Sequence, residues 1–309
     1  MKRLTHSPAG YIRTLQISKQ EFFIFVEGGL DRAFYDRLLQ SSFIDKNISY
    51  EIRAAKELPG ATGGKARLLD FFRELRRTKK LSSFSLGKNF SSAFFLDKDI
   101  DDISRKKIRS PHIIYTKTYD LEGHLISCGD LGLALADSCG ITKGQANLIV
   151  GEKDVFLRRL IENWLDWTTL CVISQINNVN VGCTFDRPSA INSNGAGEVE
   201  LEKLDSFKKQ LSEKIGVDEN TFSILYLKYR EKIRLEISKG NSLRFFKGKW
   251  FKHILQVYVN QMLNIPDANA NSLGEKLMVA LLGQVAARTP CECCSPFSVP
   301  LTSLSERFH

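Results

Sequence analysis

The stretch Glu21-Phe22-Phe23-Ile24-Phe25-Val26-Glu27-Gly28-Gly29 decides how the chain is read. Its apolar run is rich in aromatic and β-branched residues and has the length of a buried strand. Glu27-Gly28-Gly29 then reads as a turn. Beyond it Phe34 and Leu38, and Tyr35 and Leu39, recur at i, i+4, which predicts a helix over about 31–40. Ile48-Ser49-Tyr50-Glu51-Ile52 alternates as a second strand, and Pro59-Gly60 and Gly63-Gly64 mark a loop. Leu68, Phe72 and Leu75 share one face of a second helix with a basic tail. Ser91 to Leu96 is a third strand that ends at Asp97, and His112 to Tyr115 a fourth. Strand, helix, strand, helix, strand predicts an α/β domain with a mainly parallel sheet flanked by helices, placed at residues 1–150.

Residues 1–20 are mixed and polar. After about 150 the period changes. Phe156, Leu160, Trp164 and Trp167 recur at helical spacing, and residues 186–198 form the clearest loop. Helical segments follow near 199–215, 219–238, 249–263 and 272–287, so residues 151–309 are expected to be mainly helical.

An apolar share of 43% with 26% charged residues describes a globular chain, not a disordered or fibrous one. The formal charge of +9 suits a polyanionic partner or a solubilising surface. The best membrane candidate, Leu277 to Ala287, is short and broken by Gln284. Lys2-Arg3 is followed by Thr-His-Ser-Pro with no apolar segment, so a cytoplasmic protein with no membrane association is expected. Seven cysteines cannot all pair internally.

Ligands of open α/β sheets bind at the carboxyl ends of strands. Glu27 ends the first strand, and Asp97-Lys98-Asp99-Ile100-Asp101-Asp102 ends the third. Both strands are expected in the interior, so Glu27 and the aspartates should converge. Hard divalent cations such as Mg²⁺ take carboxylate oxygens and keep several waters. Aspartates at i and i+2 can share such an ion, and a separate carboxylate can serve as general acid or base. A solvated acidic turn is the alternative for Asp97 and Asp99 taken alone.

Val26-Glu27-Gly28, then Asp31, then Phe34-Tyr35, then Leu96-Asp97-Lys98-Asp99 together resemble a toprim domain. With Gly63-Gly64-Lys65, Tyr119-Asp120-Leu121-Glu122 and Lys247-Gly248-Lys249, the chain resembles the DUF4435 family of toprim proteins. The resemblance covers the first 125 residues and touches the second half only at 247–255. It implies a nuclease that needs Mg²⁺, or Mn²⁺ in its place, and that cleaves RNA, in particular transfer RNA, in anti-phage defence. It also implies restraint by a partner ATPase and a homodimer in the active state. By the resemblance Glu27 matches the catalytic glutamate, Asp97 and Asp99 the metal-binding pair, and Asp101 a further ligand. Asp31 matches an acidic position of the first helix, where it could equally cap that helix. Glu122 matches the Asp-Leu-Glu segment, with a structural, loop-bonding role as the alternative. Lys98 departs from the pattern; it would contact the scissile phosphate or weaken the metal site. Arg53, Lys56 and Lys65 follow the second strand, where they would contact phosphate or face solvent.

Gly60 to Ala66 fails as a P-loop, because the spacing is short and Ala66 stands where a hydroxyl is needed. Residues 228–252 carry nine Lys and Arg against two Glu. Phosphate contact is expected chiefly at Arg244, Lys247 and Lys249, with the interleaved aromatics in the core. Cys291-Glu-Cys293-Cys294 lacks the second pair that zinc sites use, with His309 the only histidine nearby, so a disordered tail with spare thiols is expected and a zinc site is the lesser alternative. No Ser/His/Asp set exists; His124 would lie near the acidic centre or serve packing. Two other classes remain beside the ribonuclease. One is a toprim DNA nuclease; the other is a non-catalytic module that binds nucleic acid or a partner.

Overall fold

The computed structural model describes residues 7–43, 48–85, 87–185, 199–263, 273–288 and 292–306. In chain order it begins α1 (Pro8–Ile17), β1 (Phe22–Val26), α2 (Gly29–Phe43), β2 (Tyr50–Ala54), α3 (Gly64–Arg77), β3 (Ser82–Ser85), β4 (Lys88–Leu96) and β5 (Ile113–Tyr115). There follow α4 (Leu121–Cys128), α5 (Leu131–Cys139), α6 (Lys143–Val150), α7 (Lys153–Asn163) and α8 (Leu165–Ile176). The last are α9 (Leu201–Ile215), α10 (Glu219–Ser238), α11 (Gly248–Leu263), α12 (Leu273–Ala287) and α13 (Ser295–Glu306). Two compact units result. The first holds Met1–Asp97, Ile108–Thr116 and Ala286–His309, and the second Lys98–Lys107 and Lys117–Val285. The division does not fall at residue 150.

The first unit is an α/β domain. β1 pairs in parallel with β2 and with β4, in register Phe25↔Arg53 and Phe25↔Phe94. Ser91 of β4 pairs with Phe22 and with Ser82, and Phe94 pairs with Phe25 and with Ile113. A residue has only two strand neighbours, so β3 (antiparallel) and β5 (parallel) share the edge of β4 opposite β1. Every residue of β1 is buried, which is why its sequence is continuously apolar rather than alternating.

Side chains alternate across a strand. Phe23 and Phe25, with Phe90, Phe94 and Leu96, join one core with Tyr11, Ile12 and Leu15 of α1 and Leu68, Phe71, Phe72 and Leu75 of α3. Phe25 stacks on Phe94 at 4.8 Å. Phe95, of opposite parity on β4, stacks on Tyr35 of α2 at 3.9 Å and lies 6.3 Å from Phe297 of α13. Burial of each such ring stabilises the fold by roughly 1.5–3 kcal/mol relative to exposure.

Three elements of the first unit were not anticipated, nor were α4, α5 and α6 of the second. α1 occupies the stretch read as polar; Ser7 Oγ accepts the Gly10 N–H at 3.2 Å and Pro8 opens the helix. β3 adds an antiparallel edge. The tail expected to be disordered is α13, whose Phe297, Leu301 and Leu304 are buried; Cys291 and His309 lie outside the described residues.

Among the described residues of the second unit the regular elements are all helices. The Phe156-to-Trp167 pattern is two helices, α7 and α8, broken at Trp164. Trp164 and Trp167 are fully buried, and Trp250 stacks on Phe185 at 5.4 Å. Of the aromatics interleaved in the basic stretch, Phe245, Phe246, Trp250 and Phe251 are core residues, as expected, whereas Tyr229 is only half-buried. The expected helices of the second half correspond to α9, α10, α11 and α12; the loop at 186–198 lies outside the described residues. Among the described residues no helix is long and apolar enough to cross a membrane.

Candidate functional site

β1 and β4 are parallel neighbours, so their carboxyl ends finish together. Glu27 Oε1 accepts the backbone N–H of Asp97 at 3.0 Å. Lys65, at the start of α3, donates from Nζ to the Asp97 carbonyl at 2.5 Å. The Asp97 peptide is therefore held from both sides, and Lys65 spends its cation on a strand end instead of facing solvent. Gly64 carries φ +47°, and a Cβ there would lie 3.7 Å from Glu27 Oε2. A side chain at 64 would be strained by that φ, while its Cβ would only touch the glutamate at ordinary van der Waals distance.

Asp31 Oδ2 accepts the Gly28 N–H at 3.0 Å and so orders the turn between β1 and α2. The capping alternative is thus realised in modified form, across the turn that carries Glu27. One turn further along α2, Tyr35 is buried. Its phenol is held neutral, the pKa driven far up by burial and then by the charges of Asp31, Asp97 and Glu27. Three carboxylates of this unit therefore act on one buried ring. The sequence reading gave Tyr35 no role in the site; the available signal was its i+4 spacing from Asp31.

The unit boundary falls inside the acidic run, after Asp97. Asp99 adopts φ +47° and donates its N–H to the Tyr119 carbonyl at 2.8 Å. Asp101 is buried, and its carbonyl accepts the N–H groups of Lys106 at 2.8 Å and Lys107 at 3.0 Å. Arg244 donates to the Asp99 carbonyl at 2.5 Å and to the Asp102 carboxylate. Lys98 Nζ is 3.7 Å from the other oxygen of Asp102. Burial lowers the pKa of Lys98, and neighbouring Arg244 lowers it further.

Two expectations for phosphate-contacting residues need correction. Arg244 is only 5% exposed and clamps the acidic turn, so it is a structural arginine. Arg53 is half-buried on β2, bonded to Glu51 at 2.9 Å and to the Tyr11 hydroxyl at 2.8 Å. Lys56 and Lys249 are exposed and Lys247 is half-buried. Asp102, which no motif marked, is the residue that Lys98 and Arg244 share.

The Tyr119-Asp120-Leu121-Glu122 and Lys247-Gly248-Lys249 segments meet in one joint. Asp120 Oδ1 accepts the Gly123 N–H at 2.8 Å and the Gly248 N–H at 3.0 Å, while Oδ2 has no hydrogen-bond partner. Burial, reinforced by Glu122, pushes the Asp120 pKa up to about 7. Glu122 Oε1 is 4.0 Å from Lys249 Nζ. His124 is buried on α4, and burial pulls its pKa down to about 4.

Glu27, Asp31 and Asp97 offer the hard carboxylate oxygens that Mg²⁺ or Mn²⁺ prefers. They do not bring three ligand atoms within 4.8 Å of one another. That fits a cation held by one or two carboxylates plus water and substrate, not an all-protein cage.

No protein-family model and no curated protein matches the chain. The resemblance to toprim proteins therefore rests on the motifs alone.

Proposed function

We propose that this chain is a Mg²⁺-dependent endoribonuclease of the toprim type, acting on transfer RNA in anti-phage defence. It resembles AriB, the effector of the PARIS system, which implies restraint by an ATPase like AriA and a homodimer in the active state. The observation that supports this reading best is the Glu27 carboxylate fixed beside Asp97 at the carboxyl ends of two adjacent parallel strands.

In this reading Glu27 moves the proton. A carboxylate has about four acceptor sites, so the bond from the Asp97 N–H orients Glu27 and leaves capacity for a reacting hydroxyl or water. Lys65 and Asp31 are positioning residues that fix the Asp97 peptide and the turn after β1. Glu27 and Asp97, both of the first unit, would hold the metal. When bound, Mg²⁺ supplies stabilisation of charge on the scissile phosphate.

The test is incubation of total RNA and of plasmid DNA with wild type and Glu27→Ala, with Mg²⁺ and with EDTA. Discrete small-RNA fragments that need both Glu27 and Mg²⁺ support the proposal. Plasmid cleavage with the same dependence would assign a DNA nuclease. A non-catalytic binding module is the second reading. It is favoured by the direct bonds that join Glu27, Lys65 and Asp97, since these could hold the strand ends with no metal. RNA retained but never cut by the released, dimeric chain in Mg²⁺ would decide for it.

A further inference from the structure

In the second unit the long helix α10 turns only one side inward. It is 20 residues long; Phe222, Ile233 and Ile237 are buried, and Arg230 bonds Asp166 of α8 at 2.6 Å. Its outer side carries Ile224, Leu227 and Leu235, which are 62%, 56% and 54% exposed. With Glu231 they are spaced i, i+3, i+7 and i+11, so they form a single row along the helix. An exposed aliphatic on its own is ordinary, but several in one row make a patch, and apolar patches rimmed by polar residues mark interaction sites. Lys228 and Lys232 flank the row on one side and Arg234 on the other, all exposed. Arg234 is 3.7 Å from Glu231. Lys228 Nζ is 5.9 Å from the Tyr229 ring centroid, and neither Lys228 nor Lys232 has an acidic partner among the described residues. Like charges at i, i+4 oppose helix formation, a cost that an anionic neighbour offsets.

We propose that this face of α10 docks a protein partner through an acidic amphipathic helix, with large apolar side chains along its centre and Asp or Glu beside them. An apolar centre inside a charged rim is the anatomy of a protein interface, and Lys228 and Lys232 set the sign of the rim. A second copy of this chain does not fit, because two-fold pairing of α10 with itself would bring the two lysines against like charges. An RNA strand would use the lysines and waste the row, since bases stack on aromatic rings and the row holds none. An anionic bilayer would match the lysines and the aliphatics but would draw Glu231, in the middle of the row, into a layer of its own charge. A partner helix leaves Glu231 beside Arg234. The proposal does not depend on the nuclease reading, since it concerns docking and not turnover.

The experiment titrates the full chain into a fluorescein-labelled, hydrocarbon-stapled helix about three heptads long, with Leu along one face and Glu on both flanks, and reads its anisotropy. The probe should bind with a Kd at or below about 100 µM, the strength of a small interface. Leu227→Ala combined with Leu235→Ala should weaken that binding about tenfold, and so should Lys228→Glu combined with Lys232→Glu. Val299→Ala, an exposed aliphatic of the first unit, should change nothing. Raised salt should weaken the wild-type complex. All four substituted side chains of α10 are exposed, so the variants should melt as wild type does, and circular dichroism checks this. No binding of the probe by about 100 µM overturns the proposal. So does a leucine variant that binds like wild type, which would leave charge attraction alone. The remaining occupants are tested beside it, and each of these results also overturns it. Tighter binding to vesicles of phosphatidylserine and phosphatidylcholine that needs Leu227 and Leu235 assigns the face to a membrane. Tighter binding to single-stranded oligouridylate that needs Lys228 and Lys232 assigns it to RNA. A dimer in sedimentation that the leucine variant dissolves assigns it to a second copy.

Discussion

Asp120 grips Gly248 across 128 residues of chain: one carboxylate oxygen accepts the Gly248 N–H at 3.0 Å and the Gly123 N–H at 2.8 Å. A single acceptor thus satisfies orphan donors at the starts of both α4 and α11. The approach is possible only because residue 248 has no side chain. A Cβ there would lie 2.3 Å from Gly123 N and 2.6 Å from Asp120 Oδ1. Gly248→Ala should therefore destabilise the protein by about 1–3 kcal/mol, the scale of an overpacked core. A urea midpoint unchanged from wild type would show that the joint is not under this constraint.

The same carboxylate gives a pH signature. The Asp120 pKa is about 7 when folded, against 3.8 for an ordinary aspartate. Between those values the folded chain binds the extra proton. The Asp120 contribution is fully present below about pH 4 and is lost as pH rises through 7. His124, at about 4 when folded against 6.5 when free, has the opposite slope, because the unfolded chain binds more protons between those values. In the wild type the two slopes oppose each other up to about pH 6.5. The groups that act on Asp120 are Glu122 and Lys249, and Lys117 acts on His124. Asp120→Asn keeps the acceptor and removes the proton. Its stability should rise with pH from about 4 to 6.5 and then level, whereas the wild type should fall between 6.5 and 7. Parallel profiles for the two proteins in pH-stepped denaturation would rule this account out.

Arg244 should behave as part of the fold. Its guanidinium bonds the Asp99 carbonyl and the Asp102 carboxylate, and Asp102 is partly exposed, so solvent screens some of the pair. Arg244→Ala should cost about 2 kcal/mol, typical of a lost hydrogen bond to a charged group. Lys249→Ala, on the surface, should stay within about 0.5 kcal/mol of wild type. Chemical denaturation of both variants checks this. Reduced RNA binding by Arg244→Ala at unchanged stability would return Arg244 to the nucleic-acid surface.

What the sequence disclosed follows from how local its signals are. β1 and the end of β4 are continuous apolar runs because both sheet faces are covered, and such runs need no partner to be seen. The meeting of Glu27 with Asp97 follows from parallel pairing of those two strands. α1 was legible in principle, since Ser7-Pro8 is a helix start and Tyr11, Ile12 and Leu15 share a face; the polar residues between them hid it. α13 was not, because Ser295, Pro296 and Pro300 imitate a tail and its helix is supported by Phe297 against Phe34, Tyr35 and Phe95. Arg244 looked like any cation of a basic run, because its partner Asp102 is 142 residues away. Asp120 and Gly248 read as parts of two separate motifs, and only their contact shows that they are one.

Glu27 offers the sharpest separation of chemistry from architecture. Its Oε1 accepts the Asp97 N–H, a bond that Glu27→Gln can keep through its amide oxygen and Glu27→Ala cannot. The glutamine cannot carry a proton at neutral pH, and it binds a divalent cation more weakly. If Glu27 is the general acid or base, Glu27→Gln should lose cleavage by on the order of 10²–10⁴ and melt close to wild type. Glu27→Ala should lose the same activity and, in addition, about 1 kcal/mol of stability. Cleavage assays paired with thermal melts read both effects. Glu27→Gln that cuts at the wild-type rate would remove Glu27 from the chemistry and leave it as the tie between β1 and β4.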